Sequence, residues 1–415
     1  MSCKGDERFF RLEAKVKRVY LDNNATTPIH PEVAAAIEPF LAGLYGNPSS
    51  LHWAGRDVRT HYEQARLQIA DMIHAHPEEI VVTSCGTESD NHAIKGAAYA
   101  NIGAANANIG AANAKHGQGR HIITTTVEHP GVLNVCRYLE NKGFTVTYLP
   151  VDGNGQIEPD DVKRAIRKDT ILISVMYANN ETGTLFPVKE IGAIASEHGV
   201  LFHSDMVQVM GKIDIDIHSL NVDLASFSGH KVYAPKGVGA LYIKDGLGID
   251  NLIHGGHQES GRRAGTENVL GIVAFGAACE IVKKEMQSEY NKIELLRKRL
   301  LEGILERVDH VRLNGHPTIR LPNTLNMSFE YVEAESLLMA LDMNGIAVSS
   351  GSACSAGSTE PSHVLLAMGI PPEICQSAVR FSLGRENTEE DIDHVLSVIS
   401  DVVSRLRAMS PLYKK

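Results

Sequence analysis

Between residues 19 and 243 short apolar runs alternate with amphipathic stretches, and this alternation constrains the fold more than any other feature of the chain. The runs EEIVVTS, RHIITTT, FTVTYLP, TILISVMYA, VLFHSD and VDLASF read as buried strands. Helical patterns over 57–73, 91–100, 132–142, 159–167 and 187–198 lie around and between them. Strands joined by helices imply an α/β fold whose mostly parallel sheet is covered on both faces. Ligands of such sheets bind beyond the carboxyl ends of the strands. Thr87, His129, Asn180, Asp205 and the turn Ser228-Gly229-His230-Lys231 all fall at such ends. Five chemically apt positions at five strand ends point to one binding site.

Taken singly, each position carries two readings. Lys231 sits in SFSGHKVYAPKG, between the run ending at Phe227 and the run GVGALYI. It is either a solvated turn lysine or an amine that forms a Schiff base with a carbonyl cofactor, its small neighbours leaving room for a phosphate. Gly86 and Thr87 follow a strand and open a helix, which is either a plain capped start or an anion site built from free N–H groups and the helix dipole. His129, just before Pro130, is either structural or able to stack on a planar group and move protons. Trp53, in the aperiodic segment 45–56, is either a packed connection or a wall of the site.

Beyond residue 243 the chain is Gly-rich through 254–268, where Arg262, Arg263 and Thr266 are candidates to reach an anion. A helix to about residue 308 then leads to mixed strands and helices, ending in TEEDIDHVLSVISDVVSRLRAM, where Thr388 and Asp391 form a capping box. The expected division is a charged arm over 1–18, a large unit over 19–266 and a smaller α+β unit over 267–415, with 19–30 packing on the smaller one. The tandem NIGAANA repeat at 101–114 reads as a helix-tip extension or a surface loop without chemistry. Within 267–415, SSGSACSAGS surrounds Cys354 with small residues. Most lone cysteines are inert, but one on an exposed small-residue loop is placed to act as a nucleophile.

Composition excludes several classes. A formal charge of −10 opposes nucleic acid or an anionic membrane as main partner. No apolar run reaches the roughly 18 residues that cross a bilayer. Six scattered cysteines without a CxxC pair suit neither a zinc ribbon nor a disulfide framework, and fit a reducing, cytoplasmic setting. The N-terminal stretch lacks the apolar core of a secretory signal, and its acids oppose a transit peptide.

The motifs LDNNATTP, YGNPSSLH, TESDNHAIKGAA, VEHPGVL, NNETG, SFSGHKVYAPKG, RRAGTEN and SSGSACSAG together resemble the cysteine desulfurases of the NifS/IscS branch of the class-V aminotransferases. The resemblance implies a fold-type I transferase, with a seven-stranded sheet in the large unit, and pyridoxal 5'-phosphate as cofactor. It implies that Lys231 holds the cofactor and that Gly86, Thr87, Ser228, Gly229 and His230 bind its phosphate. Thr266 would reach the phosphate of the neighbouring subunit of a homodimer. Asp205 would pair with the ring nitrogen, Gln208 and Asn180 would contact the ring oxygen side, and His129 would stack and shuttle protons. Arg380, with Asn180, would bind the substrate carboxylate. Cys354 would take sulfur from L-cysteine, leaving alanine, and pass it to an iron–sulfur scaffold protein. No resident metal is implied; Cys354 would at most be shared with a cluster on that scaffold. A selenocysteine lyase or another fold-type I pyridoxal phosphate enzyme is the alternative. Met206 departs from the family pattern, which has a small residue after the aspartate, and is expected either to crowd the ring or to turn away.

Overall fold

The computed structural model describes residues 17–106, 119–350, 360–411 and 413. The arm up to residue 16, most of the NIGAANA repeat and Cys354 lie outside the described residues.

The first elements are β1 (Val19–Tyr20), α1 (Pro31–Ala42) and α2 (Trp53–Met72). Pro31 fills the first turn of α1, where its missing N–H costs nothing. Seven strands follow, the first five alternating with helices: β2 (Ile80–Thr83), α3 (Gly86–Asn106), β3 (His121–Thr125), α4 (Pro130–Glu140), β4 (Thr145–Leu149), α5 (Pro159–Ala165), β5 (Thr170–Ser174), α6 (Val188–His198), β6 (Leu201–Asp205), β7 (Leu224–Ser228) and β8 (Gly239–Ile243). Their order in the sheet is β2-β8-β7-β6-β5-β3-β4. Only β8 is antiparallel, to both its neighbours; the other pairings are parallel. The carboxyl ends of β2, β3, β5, β6 and β7 therefore share one edge.

Alternation along the strands explains the burial of both faces. Val81, Ile122 and Leu241 pack in one apolar cluster with Ile94 and Ala98 of α3 and Leu139 of α4. Ile80, Ile123, Ala225 and Phe227 pack on the other side with Ile69 of α2 and Ile191 of α6. Met206 is fully buried in that second cluster, so it turns away from the strand-end edge.

The remainder comprises α7 (Val269–Arg307), β9 (Val311–Asn314), β10 (Thr324–Phe329), α8 (Ala334–Asp342), β11 (Ile346–Ala347), β12 (Ser349–Ser350), α9 (His363–Ala367), α10 (Pro372–Cys375), β13 (Ala378–Ser382) and α11 (Glu389–Met409). An antiparallel sheet in the order β12-β13-β10-β9 packs with α8, α11 and the end of α7 around a separate core. The capping box of Thr388 and Asp391 opens α11 as its sequence predicts. The start of the chain joins this region: β1 pairs with β11, and Val19 and Leu21 lie in its core. Trp53 is the first residue of α2 and is 64% exposed, so the aperiodic stretch ends earlier than its composition suggests.

Gly192 marks how closely α6 approaches the loop before β7: a Cβ there would lie 2.0 Å from the Leu220 carbonyl oxygen. In an open helix Gly→Ala gains about 1 kcal/mol. Here the clash reverses the sign, and Gly192→Ala is expected to destabilise by about 2 kcal/mol, read from the midpoint of urea unfolding. A gain in stability would show that the contact relaxes freely.

Candidate active site

Lys231 closes a short helical turn, Gly229–Lys231, directly after β7. Its ammonium donates to the carbonyls of Asn24 and Ala25, the latter at 2.8 Å. The segment 22–27 thus lies over the lysine, and further bonds fix it there. Thr27 N–H donates to His230 O, and Tyr233 N–H donates to Thr27 Oγ1 at 2.8 Å. His230 contacts Thr26 Oγ1 and is pushed down to about 4 by burial, reinforced by the Lys231 charge, so it is neutral.

Asp205 ends β6. Its Oδ1 accepts the Val207 N–H at 2.9 Å. Burial raises its pKa, while His129, the Val207 N–H and Lys231 oppose that rise. His129 caps α4: its Nδ1 accepts the Gly131 N–H at 3.0 Å. That bond puts the proton of the neutral ring on Nε2. Burial pushes His129 down, with Asp205 as the opposing charge. A Cβ on Gly131 would meet Asp90 Oδ2, His129 Nδ1 and Thr87 Oγ1 within 3.4 Å, so those groups surround one point.

Gln208 is buried; its side-chain N–H donates to Asn24 O, and its Oε1 accepts from Lys212 Nζ at 3.3 Å. Burial, with the charges of Lys231 and Arg380, lowers Lys212 to about 7. Arg380, on β13, is 1% exposed and reaches across from the smaller sheet. Its Nη1 donates to Asn180 O at 3.0 Å and its Nη2 to Asp22 Oδ1 at 2.8 Å, while Nε has no partner. Thr266 is exposed. Arg263 of the Gly-rich stretch pairs with Glu88 of α3 and Arg262 donates to Glu78 O, so both of its arginines are taken up within the chain.

The buried hydroxyl of Ser228 has no hydrogen-bond partner. Gly86 is buried, and a Cβ there would lie 2.7 Å from a Val207 methyl. An orphaned donor and side-chain-free backbone at the N-terminus of α3 fit a phosphate. The strand-end residues expected from sequence therefore converge around Lys231 and the head of α3. Sequence reasoning missed Asp22, which holds Arg380, and Asp90, which lies beneath His129. It also gave no role to Glu181 of NNETG, which is buried.

Residues 19–395 match the family described as Aminotransferase class-V. The chain belongs to that family. Within it the chain is 50% identical over 414 residues to a protein named cysteine desulfurase IscS from Methanosarcina thermophila, covering all of this chain and 98% of that one. A protein of the same name from Dictyoglomus turgidum is 49% identical over 96% of this chain and 98% of its own length. Among solved structures, a NifS-like protein superposes with a TM-score of 0.85 at 40% identity, over 94% of this chain and all of that one. Another, from Rickettsia africae, gives 0.81 at 31% identity over the same shares. These matches place the chain in the cysteine desulfurase branch of the family.

Glu181 generates a prediction. Burial pushes it up to about 7, opposed by the Ser362 hydroxyl, which donates to it, and by Arg380. An unfolded glutamate titrates near 4.3. The fold thus favours its proton, and stability is lost as pH rises from about 4.3 through 7. Ser362→Ala also removes the cap of α9, a loss independent of pH. Its total cost is expected to grow by about 1 kcal/mol between pH 6 and pH 8, as the carboxylate loses its donor, measured by urea unfolding at both values. An equal cost at both would place the charge of Glu181 elsewhere.

Proposed function

We propose that the chain is a cysteine desulfurase that binds pyridoxal 5'-phosphate and moves sulfur from L-cysteine onto Cys354, releasing L-alanine. The convergence of Lys231, Asp205 and His129 on the strand-end edge beside the orphaned Ser228 hydroxyl carries the cofactor reading. The names of the relatives that match the whole chain support the reaction.

Lys231 Nζ would hold the cofactor, and Ser228, Gly229, His230, Gly86 and Thr87 its phosphate. The bound cofactor supplies a cationic ring that stabilises negative charge at the carbon next to the substrate amine. Asp205, ionised opposite Lys231 and His129, would hold that ring's nitrogen proton. Gln208 has one amide hydrogen engaged by Asn24 O and a second free for a ring oxygen, with Lys212 fixing which end of the amide faces which way. Asn180 would contact that same ring oxygen side. Arg380 would meet the substrate carboxylate with the donors not taken by Asn180 O and Asp22. His129 Nε2 is the atom positioned to move a proton. Cys354 thiolate attacks the substrate sulfur; an S–S bond forms, the C–S pair goes to the substrate carbon, and that carbon takes a proton to become alanine. The persulfide then passes to an acceptor thiol, here assigned to an iron–sulfur scaffold protein. The assembly is read as a homodimer in which the exposed Thr266 reaches the neighbouring subunit's phosphate. The division at residues 266–267 and a cytoplasmic setting belong to the same reading; no helix among the described residues is long and apolar enough to cross a membrane.

With L-cysteine and a reductant, alanine and sulfide should appear in equal amounts. Cys354→Ala should keep the visible absorbance of bound cofactor yet lose sulfide release by roughly 100-fold or more. Release at the parent rate would reject the role of Cys354.

A further inference from the structure

Asp90 lies in the second turn of α3 with 1% of its surface exposed. Its Oδ1 has no hydrogen-bond partner and stands 3.7 Å from His203 Nε2. Its Oδ2 faces the point shared with His129 and Thr87. One carboxylate oxygen of Asp90, one of Asp205 and a ring nitrogen of His129 all lie within 4.8 Å of one another. Two carboxyl groups thus share a buried space.

We propose that Asp90 is a positioning residue that keeps its proton, so that the negative charge at this end of the pocket resides on Asp205 alone. Two carboxylates this close in a dry site do not both ionise. The surroundings decide which one does. Asp205 receives the Val207 N–H and faces Lys231 and His129. Asp90 faces Asp205, Glu128 and Cys85, each of which disfavours a second negative charge, and has only the Ser226 hydroxyl to ease it. Burial is the largest influence on Asp90 and acts in the same direction. Of the two imidazoles near it, His129 is pushed down by burial and set against Asp205, and His203 cannot serve as a counter-ion. Its ring is held between Ser174 Oγ at 2.8 Å and Ser226 Oγ at 3.0 Å and is pushed down to about 3 by burial. A neutral acid is a hydrogen-bond donor, and with its carboxyl oxygen within 4.8 Å of one on Asp205 the proton of Asp90 would stabilise the charged form of Asp205.

The inference rests on reading Asp205 as the partner of the cofactor's ring nitrogen, and two readouts separate the two ideas. The first is the melting temperature of full-length protein between pH 5 and pH 8, with and without added pyridoxal phosphate. An unfolded aspartate titrates near 3.9. A folded Asp90 that keeps its proton loses stability as pH rises above that value. Asp90→Asn mimics the neutral acid, so it is expected to melt a few degrees above the parent at pH 8, the gap closing towards pH 5. An Asn variant that melts below the parent by a margin growing with pH, or that fails to fold, would overturn the proposal. The second is the pH midpoint of the bound cofactor's visible absorbance. Asp90→Ala, which removes the donor, is expected to move it by about half a pH unit or more, and Asp90→Asn to restore it. Ala and Asn variants that both titrate like the parent would show that Asp90 has no hold on Asp205. The melting profile without cofactor does not depend on the ring, so its failure counts against Asp90, whereas a missing visible band counts against the reading of the site.

Discussion

A parallel sheet has to leave the carboxyl ends of its strands on one edge, and the site depends on that constraint. Here β2, β3, β5, β6 and β7 run the same way. The residues that follow them are then neighbours although 145 positions separate Gly86 from Lys231. The antiparallel β8 does not disturb this, because its own carboxyl end points away. The strand backbones satisfy their polar groups in the ladder, which frees the turns to present side chains and open N–H groups.

The second requirement is a seam between the two sheets. The segment 22–27 makes it. Asp22 holds Arg380, Asn23 donates to Ser382 O, and Asn24 N–H donates to Ser382 Oγ, all on β13. The next carbonyls hold Lys231, and Thr27 ties to His230. One short stretch therefore couples the proposed carboxylate-binding arginine to the proposed cofactor-binding lysine. Beneath this seam the face of the sheet covered by α3 turns polar near the strand ends. Ser174, Ser226 and Ser228 alternate with apolar residues directed to the opposite face, and His203 and Asp205 share their face with Ser204 between them. Burying so many polar groups is costly unless they pair, and Asp90 and Ser228 each keep a partnerless atom where a ligand is expected.

The alternation of strands and helices was legible because parallel strands buried on both faces are continuous apolar runs. The strand-end rule then located Thr87, His129, Asn180, Asp205 and Lys231 without any knowledge of contacts. Helix starts were harder: α2 begins at Trp53, inside a stretch whose Gly, Asn, Pro and Ser read as loop. Asp22 and Asp90 were illegible for a different reason. Each gains its meaning from a partner distant in sequence, Arg380 for one and Asp205 with His203 for the other. Glu181 looked like part of a polar turn, and only burial against Ser362 shows otherwise. Met206 posed a choice that sequence left open, and the alternating strand geometry at the end of β6 settles it in favour of the core.

The central claim is that the sheet edge makes Lys231, among all the amines of the chain, the one that captures a pyridoxal ring. Lys212 is the natural competitor, since burial lowers it to about 7 and leaves it reactive. Full-length protein loaded with pyridoxal phosphate, reduced with borohydride and digested, shows by mass spectrometry which lysine bears the pyridoxyl group. The account predicts the label on Lys231 alone, and a label on Lys212 or spread over surface lysines would contradict it.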